Sequence, residues 1–260
     1  MRSRHFLVLI TLVGLMFLSC QGAADLPHLF ASPTPTATAT FTPSPTPSST
    51  PTPTYTPTPL PSGTVKEQQP DGTTLFTDYD NAYQLVFPAD WTVTDLKPED
   101  LNFMLNVMSK TNPDLEETVS MLRTMDPKVW RVFAFDFQRD DLTNGYATTV
   151  TVESEQESIL EDMSLQDIMD LMTQSVPELY KGAKNISSKV TTSASDIPMG
   201  VMELNMPLNM LGGGRVTLHE KIIFFKFPKG IIAITLATPV SLQDKLLPIF
   251  DKIIDSFKFL

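Results

Sequence analysis

The residues able to do chemistry are few and scattered. The chain of 260 residues holds one cysteine, Cys20, and three histidines, of which only His219 lies beyond the first 31 positions. His219 stands in Thr217-Leu218-His219-Glu220. A nucleophilic relay needs that imidazole beside a serine, and the chain has no G-x-S-x-G elbow. A zinc site needs clustered cysteine and histidine, which a lone histidine cannot supply. Five acids gather at Glu153, Glu155, Glu157, Glu161 and Asp162. Paired carboxylates can serve acid–base chemistry or bind Ca²⁺, but this spacing matches no EF-hand loop, and the run reads as a solvated, charge-rich loop. Gly212-Gly213-Gly214 lacks the Lys-Ser/Thr of a phosphate-cradling loop and reads as a hairpin turn. No catalytic set, metal site or cofactor site is expected. The chain reads as a protein that is not an enzyme. A secreted hydrolase using the acidic cluster is the alternative, followed by a small solute-binding lipoprotein.

Thirteen methionines are the other unusual feature. Methionine is soft, fills irregular gaps and also lines promiscuous grooves. One group lies between Met163 and Met210, a second between Met104 and Met125. Core filling accounts for most of them. Where a partner groove exists, it is expected on Met104, Met108, Leu122 and Met125, because an inserted helical hairpin must hide its apolar side against something.

The chain begins as an export signal. Arg2 and Arg4 precede an apolar run from Phe6 to Leu18. That run is too short to cross a bilayer core, which needs about 20 residues, and a basic start with a short apolar region is a secretory signal. Cys20 follows directly. Phe17-Leu18-Ser19-Cys20 resembles a bacterial lipobox, with Phe17 and Leu18 where leucine and a small residue are usual. The resemblance implies removal of residues 1–19 and lipidation of the Cys20 thiol. The competing reading is an ordinary signal cut after Ala24.

Residues 20–31 then lead into a tract, 32–62, in which 26 of 31 positions are Pro, Thr or Ser and none is charged. Proline fixes φ and removes a donor, so neither helix nor central strand forms. Dense proline favours the extended polyproline II helix, and at about 3.1 Å per residue the tract reaches up to ~95 Å. It reads as a stalk.

Residues 63–260 read as one globular domain. They keep 17 of the 19 Lys/Arg residues and 29 of the 30 Asp/Glu residues. So acidic a surface repels nucleic acid. The expected partner is an unidentified protein or small ligand, with membrane contact through the lipid alone. This places the protein on the extracytoplasmic face of the membrane.

Alternation predicts strands at Thr74–Asp78, Tyr83–Phe87, 91–94, 130–137 and 146–152, with Trp130, Val132, Ala134 and Asp136 on one face and Arg131, Phe133 and Phe135 on the other. Pro98 opens a helical insertion over 98–126. Ser164 and Asp167 form a capping box for a helix ending before Pro177. Strands at 186–192, 201–206, Arg215–Phe227 and 231–236 follow. A last helix, opened by Ser241 with Asp244, carries Leu246, Phe250, Ile253 and Phe257 in one stripe, and Pro248 should kink it or shift its start to about Leu247. Strands joined by short turns imply an antiparallel sheet, and covering helices make an α+β layered domain.

The two ends of this domain resemble a known group. Asn81-Ala82-Tyr83-Gln84-Leu85-Val86-Phe87-Pro88-Ala89-Asp90-Trp91 resembles the opening of the PsbP/Mog1/DcrB-like domains, with Asn81-Ala82 in place of the usual Tyr-Gly. Ile249 to Phe259, with Ser256-Phe257, resembles their closing helix. The resemblance implies an α/β/α sandwich with an antiparallel sheet. It carries over no catalytic residues and implies docking modules, often periplasmic or lipoprotein. Trp91, Ser256 and Phe257 read as packing residues.

Overall fold

A computed structural model describes residues 62–95, 126–138, 146–156, 158–179, 182–210 and 214–260, with isolated positions between 102 and 123 and at 143. Among the described residues eleven strands form two sheets. β1 (Thr64–Gln68), β2 (Thr74–Asp78), β3 (Tyr83–Phe87) and the terminal β11 (Lys258–Phe259) make a small sheet in the order β1-β2-β3-β11. The large sheet runs β4 (Thr92–Thr94), β5 (Trp130–Asp136), β6 (Thr148–Glu155), β10 (Gly230–Pro239), β9 (Arg215–Phe227), β8 (Pro198–Asn209), β7 (Lys184–Thr192). Neighbours in both sheets are antiparallel.

Between β6 and β7 the chain must cross from the middle of the large sheet to its edge. It does so through α1 (Ser158–Asp162) and α2 (Leu165–Leu179), which cover one face on the way. Leu160, Ile168, Met169, Met172 and Val176 pack there on Phe133, Met202, Leu204, Ile222 and Phe224. The other face receives α3 (Gln243–Asp255) and the small sheet. Leu246, Phe250, Ile253 and Ile254 of α3 are buried, and the last three, with Phe76, Tyr83, Leu85 and Phe87, pack against Val132, Val150, Val152, Ile223, Phe225 and Ile234. Each such side chain contributes about 1.5–3 kcal/mol on burial. With both faces covered, β10 is buried along its whole length. The domain is the expected layered α+β fold, and the strands preceding Trp91 form a second sheet that local pattern did not separate from the first.

The capping box is present: Ser164 Oγ donates to Asp167 Oδ2 at 2.6 Å and the Asp167 N–H donates back to Ser164 Oγ at 3.1 Å. Two helix boundaries depart from expectation. Pro177 lies inside α2 and Pro248 inside α3. Both prolines are exposed, so the carbonyls they leave without an N–H can face water, and the helices run on. A bulge at Arg131 is the third departure, since Trp130 pairs with Glu153 and Val132 with Val152. It turns Trp130 to the face of Phe133, on which its indole stacks at 5.8 Å, rather than to that of Val132.

From the 98–126 stretch, Leu105 and Val119 enter the core under α1 and α2. Asn112 ties it to the end of β8: its Nδ2 donates to the Asn209 carbonyl at 3.0 Å, and the Asn209 N–H donates to Asn112 Oδ1 at 2.8 Å. Cys20, the 1–19 and 20–31 segments, all of the stalk but Ser62, and Met104, Met108, Leu122 and Met125 lie outside the described residues. Among the described residues no helix is long and apolar enough to cross a membrane.

Candidate functional site

The acidic cluster divides. Glu161 and Asp162 are exposed on α1, as a solvated run should be, and Glu157 lies outside the described residues. Glu153 and Glu155 are buried, at 0% and 6% exposure. They are strand residues, not loop residues. Along β6, Thr149, Thr151, Glu153 and Glu155 share the face covered by helices, while Val150 and Val152 face α3. Two strands away, Glu220 of β9 is on the same helix-covered face, also fully buried. Between them runs β10, where Ala233 pairs with Glu153 and Ala237 with Glu220. Thr235 lies between those two alanines on the same face.

This polar row within an apolar layer is under-satisfied. Thr151 Oγ1 donates to Glu153 Oε1 at 3.4 Å. Among the described residues, Glu153 Oε2, both Glu220 oxygens and Thr235 Oγ1 have no hydrogen-bond partner. Burial pushes the Glu153 carboxyl well above the usual range, and the charges of Glu155 and Glu220 push it further. Burial alone raises Glu220. The Tyr146 phenol, near Thr149 and Glu220, is raised by burial and by the Glu220 charge. Burial of this kind favours the protonated carboxyl, which is a neutral donor and acceptor. Among the described residues no three His, Cys, Asp or Glu side chains converge as metal ligands.

His219 is 8% exposed on the opposite face. Its Nδ1 meets Asn205 Oδ1 at 2.9 Å, its cross-strand neighbour on β8. Burial lowers its pKa, against the raising influence of Glu203. The imidazole is held by an amide, as a sheet-face histidine.

The second polar centre joins the two sheets. Asp78, at the end of β2, has a fully buried side chain. Arg131, in the bulge, donates Nε to Asp78 Oδ2 at 2.7 Å and Nη2 to Asp78 Oδ1 at 2.9 Å. Its Nη2 also reaches Asp80 Oδ2 at 2.8 Å. Asp78 further accepts the Asp80 and Asn81 N–H groups and Asn81 Nδ2. Asp80 completes the chain of contacts by accepting the Gly63 N–H on Oδ1 at 2.7 Å. That bond and Arg131 hold the Asp80 carboxyl below its ordinary value. Gly63 has φ +77°, a turn that suits glycine. A cavity of about 320 Å³ opens beside this centre, lined by Gly63, Asp80, Asp95, Lys128 and Trp130 among others. Sequence pattern missed this clamp. Its trace was the single guanidinium of the largely apolar strand β5 and the paired acids of Asp78-Tyr79-Asp80.

The resembling end motifs meet at the back of the molecule. Trp91 is 6% exposed in the core. Phe257 stacks on Phe225 at 3.9 Å and on Tyr83 at 5.7 Å. Ser256 does more than fill space: its hydroxyl donates to the Ile253 carbonyl at 2.6 Å and accepts the Val86 N–H at 2.9 Å.

No family model and no curated protein matches the sequence. Solved structures resemble it in fold. The solution structure of cyanobacterial PsbP (CyanoP) from Synechocystis sp. PCC 6803 is 15% identical, covers 73% of this chain and 94% of its own, and gives a TM-score of 0.46. The Ran-binding protein Mog1p of Saccharomyces cerevisiae is 11% identical over 72% of this chain and 95% of its own, with a TM-score of 0.42. LpqN of Mycobacterium tuberculosis, described as involved in cell envelope biogenesis, is 9% identical over 75% and 89%, with a TM-score of 0.39.

Proposed function

We propose that this chain is a surface-anchored lipoprotein whose head is a non-catalytic binding or scaffold module, displayed on a Pro/Thr/Ser stalk at the extracytoplasmic face of the membrane. The observation that carries the reading is the clamp on Gly63. The stalk ends at Ser62, and the next residue is bonded to Asp80, which Arg131 ties to the buried Asp78 of the sheet junction. A head built to be held by its N-terminus needs such a fixed point.

The partner is an unidentified protein or small ligand, and the surface proposed for it is that of Met104, Met108, Leu122 and Met125. The hydrolase alternative loses ground because Glu153 and Glu155 are buried in the sheet rather than open to substrate.

Metabolic labelling with a palmitate analogue tests the anchor. Label should appear on the full chain and vanish in Cys20→Ala, and label that survives the substitution refutes lipidation at that thiol. Capture of a membrane component by the full chain, lost in Met104→Asp/Met108→Asp while the melting temperature holds, tests the groove.

A further inference from the structure

We propose that Glu153 and Glu220 form a pH-operated latch on the helical layer, docked while both carboxyls carry their protons and loosened when they ionise. Both sit at 0% exposure on the face of the large sheet that α1 and α2 pack against, α1 on β10 and α2 on β7 and β8. The small side chains beside them on β10, Ala233 and Ala237, let the two carboxyls rise above the sheet toward that cover.

Among the described residues nothing charged positively meets them from the elements around. Residues 158–179, which include α1 and α2, contain no Lys, Arg or His. Their acids are Glu161, Asp162, Asp167, Asp170 and Glu178, of which the first four are exposed, and all add only negative charge. Between 98 and 126 the bases are Lys110 and Arg123, both exposed, with Arg123 bonded to Asn106. Lys226, at the far end of β9, gives its Nζ to the Glu161 carbonyl. Arg131 is committed to Asp78 and Asp80 toward the small sheet, and Lys184 and Lys189 are exposed on the edge strand. Around Glu220 the side chains from the sheet are Thr149, Leu204 and Ala237, with Tyr146 close by. Beside Glu153 they are Thr151, Trp130, Ala233 and the acid Glu155.

The sign follows from proton binding. Both groups hold protons in the docked state at pH values where an exposed glutamate, near 4.5, has lost its own. Docking therefore weakens as pH rises from that ordinary value toward the elevated one, and levels off above it. Across this window each group raises the opening constant by about tenfold per pH unit. Acid closes the layer and alkali loosens it, which exposes the methionine-rich face of α2 and β8.

Amide hydrogen exchange on the full chain in detergent, corrected for the intrinsic rate at each pH, reads this directly. The amides of α2 should lose protection as pH rises above about 5, whereas α3, on the other face, should not follow. In Glu153→Gln/Glu220→Gln the protection of α2 should no longer depend on pH. An α2 protection that is flat with pH in the wild type, or an unchanged slope in the double variant, overturns the latch. Should the double variant fail to fold, infrared difference spectra of the wild type decide: a protonated-carboxyl band persisting near neutral pH supports the latch, and full ionisation by pH 6 overturns it.

Discussion

Arg131 and Asp78, 53 positions apart, meet in a two-pronged ion pair at 2.7 and 2.9 Å with the carboxylate fully buried. The pair lies where the small sheet adjoins the bulge of the large one. Parallel N–H···O bonds of this kind are geometrically selective, and lysine cannot reproduce them.

Removing the guanidinium leaves Asp78 buried without its cation. Arg131→Met should cost about 3–5 kcal/mol, as broken buried pairs do, and Arg131→Lys should recover little of it. The Arg131→Met/Asp78→Asn double variant should lose less than the sum of the single changes. Urea unfolding of the purified protein measures each value, and strict additivity would show that the pair is not coupled.

Ser256 offers a sharper test, because one hydroxyl serves two elements. Ser256→Ala leaves the Val86 N–H without its acceptor and frees the last turn of α3. A loss of about 1–3 kcal/mol is expected. Ser256→Cys, a poor acceptor of similar size, should fall near alanine. A serine that only filled space would let cysteine behave as wild type.

Gly230 begins β10 against the backbone of β6. A Cβ at that position would lie 1.8 Å from the Glu155 carbonyl oxygen. That neighbour is main chain, so relief requires moving a strand. Gly230→Ala should cost at least the ~1–3 kcal/mol of ordinary overpacking, seen as a fall in melting temperature. Gly72→Ala makes a useful contrast, since its crowding at 3.0 Å is against the Ala89 side chain and its penalty comes mainly from φ +86°.

His219 sets the acid limb of stability. Its pKa is lowered in the fold, so the folded state binds fewer protons than the unfolded chain below about 6.5. Stability is therefore fully present above that value and falls as pH drops toward the lowered one. His219→Gln, which can still bond Asn205, should flatten this limb. The slope opposes that of Glu153 and Glu220, so melting temperature against pH should separate the two contributions when each is substituted in turn.

How far the fold was legible depended on how local its causes were. Thr74–Asp78, Tyr83–Phe87 and Arg215–Phe227 are strands with the boundaries that alternation gives, because their neighbours in sequence are also their neighbours in the sheet. The capping box at Ser164 was readable for the same reason. The buried carboxylates were not. Glutamate is a poor strand former and usually solvated, and what buries Glu153 is a pairing with Ala233, 80 positions on, under helices that form later in the chain. The signal was present in part: Thr149, Thr151, Glu153 and Glu155 alternate with Val150 and Val152. The Arg131 bulge could not be seen either, since one extra residue reverses every face before it and its cause is Asp78 in another sheet. Pro177 inside α2 was misjudged because its cost depends on whether the orphaned carbonyl can reach water.

The outer strand of the large sheet carries a consequence for encounters between copies of the chain. β7 reads Lys-Asn-Ile-Ser-Ser-Lys-Val-Thr-Thr and is largely exposed. Its pairing with β8 is irregular between Lys184 and Ser187, where Asn185 takes φ +54°. Two ammonium groups and a twisted start make a poor template for a foreign strand. Neighbouring copies therefore gain little from pairing edge to edge along β7.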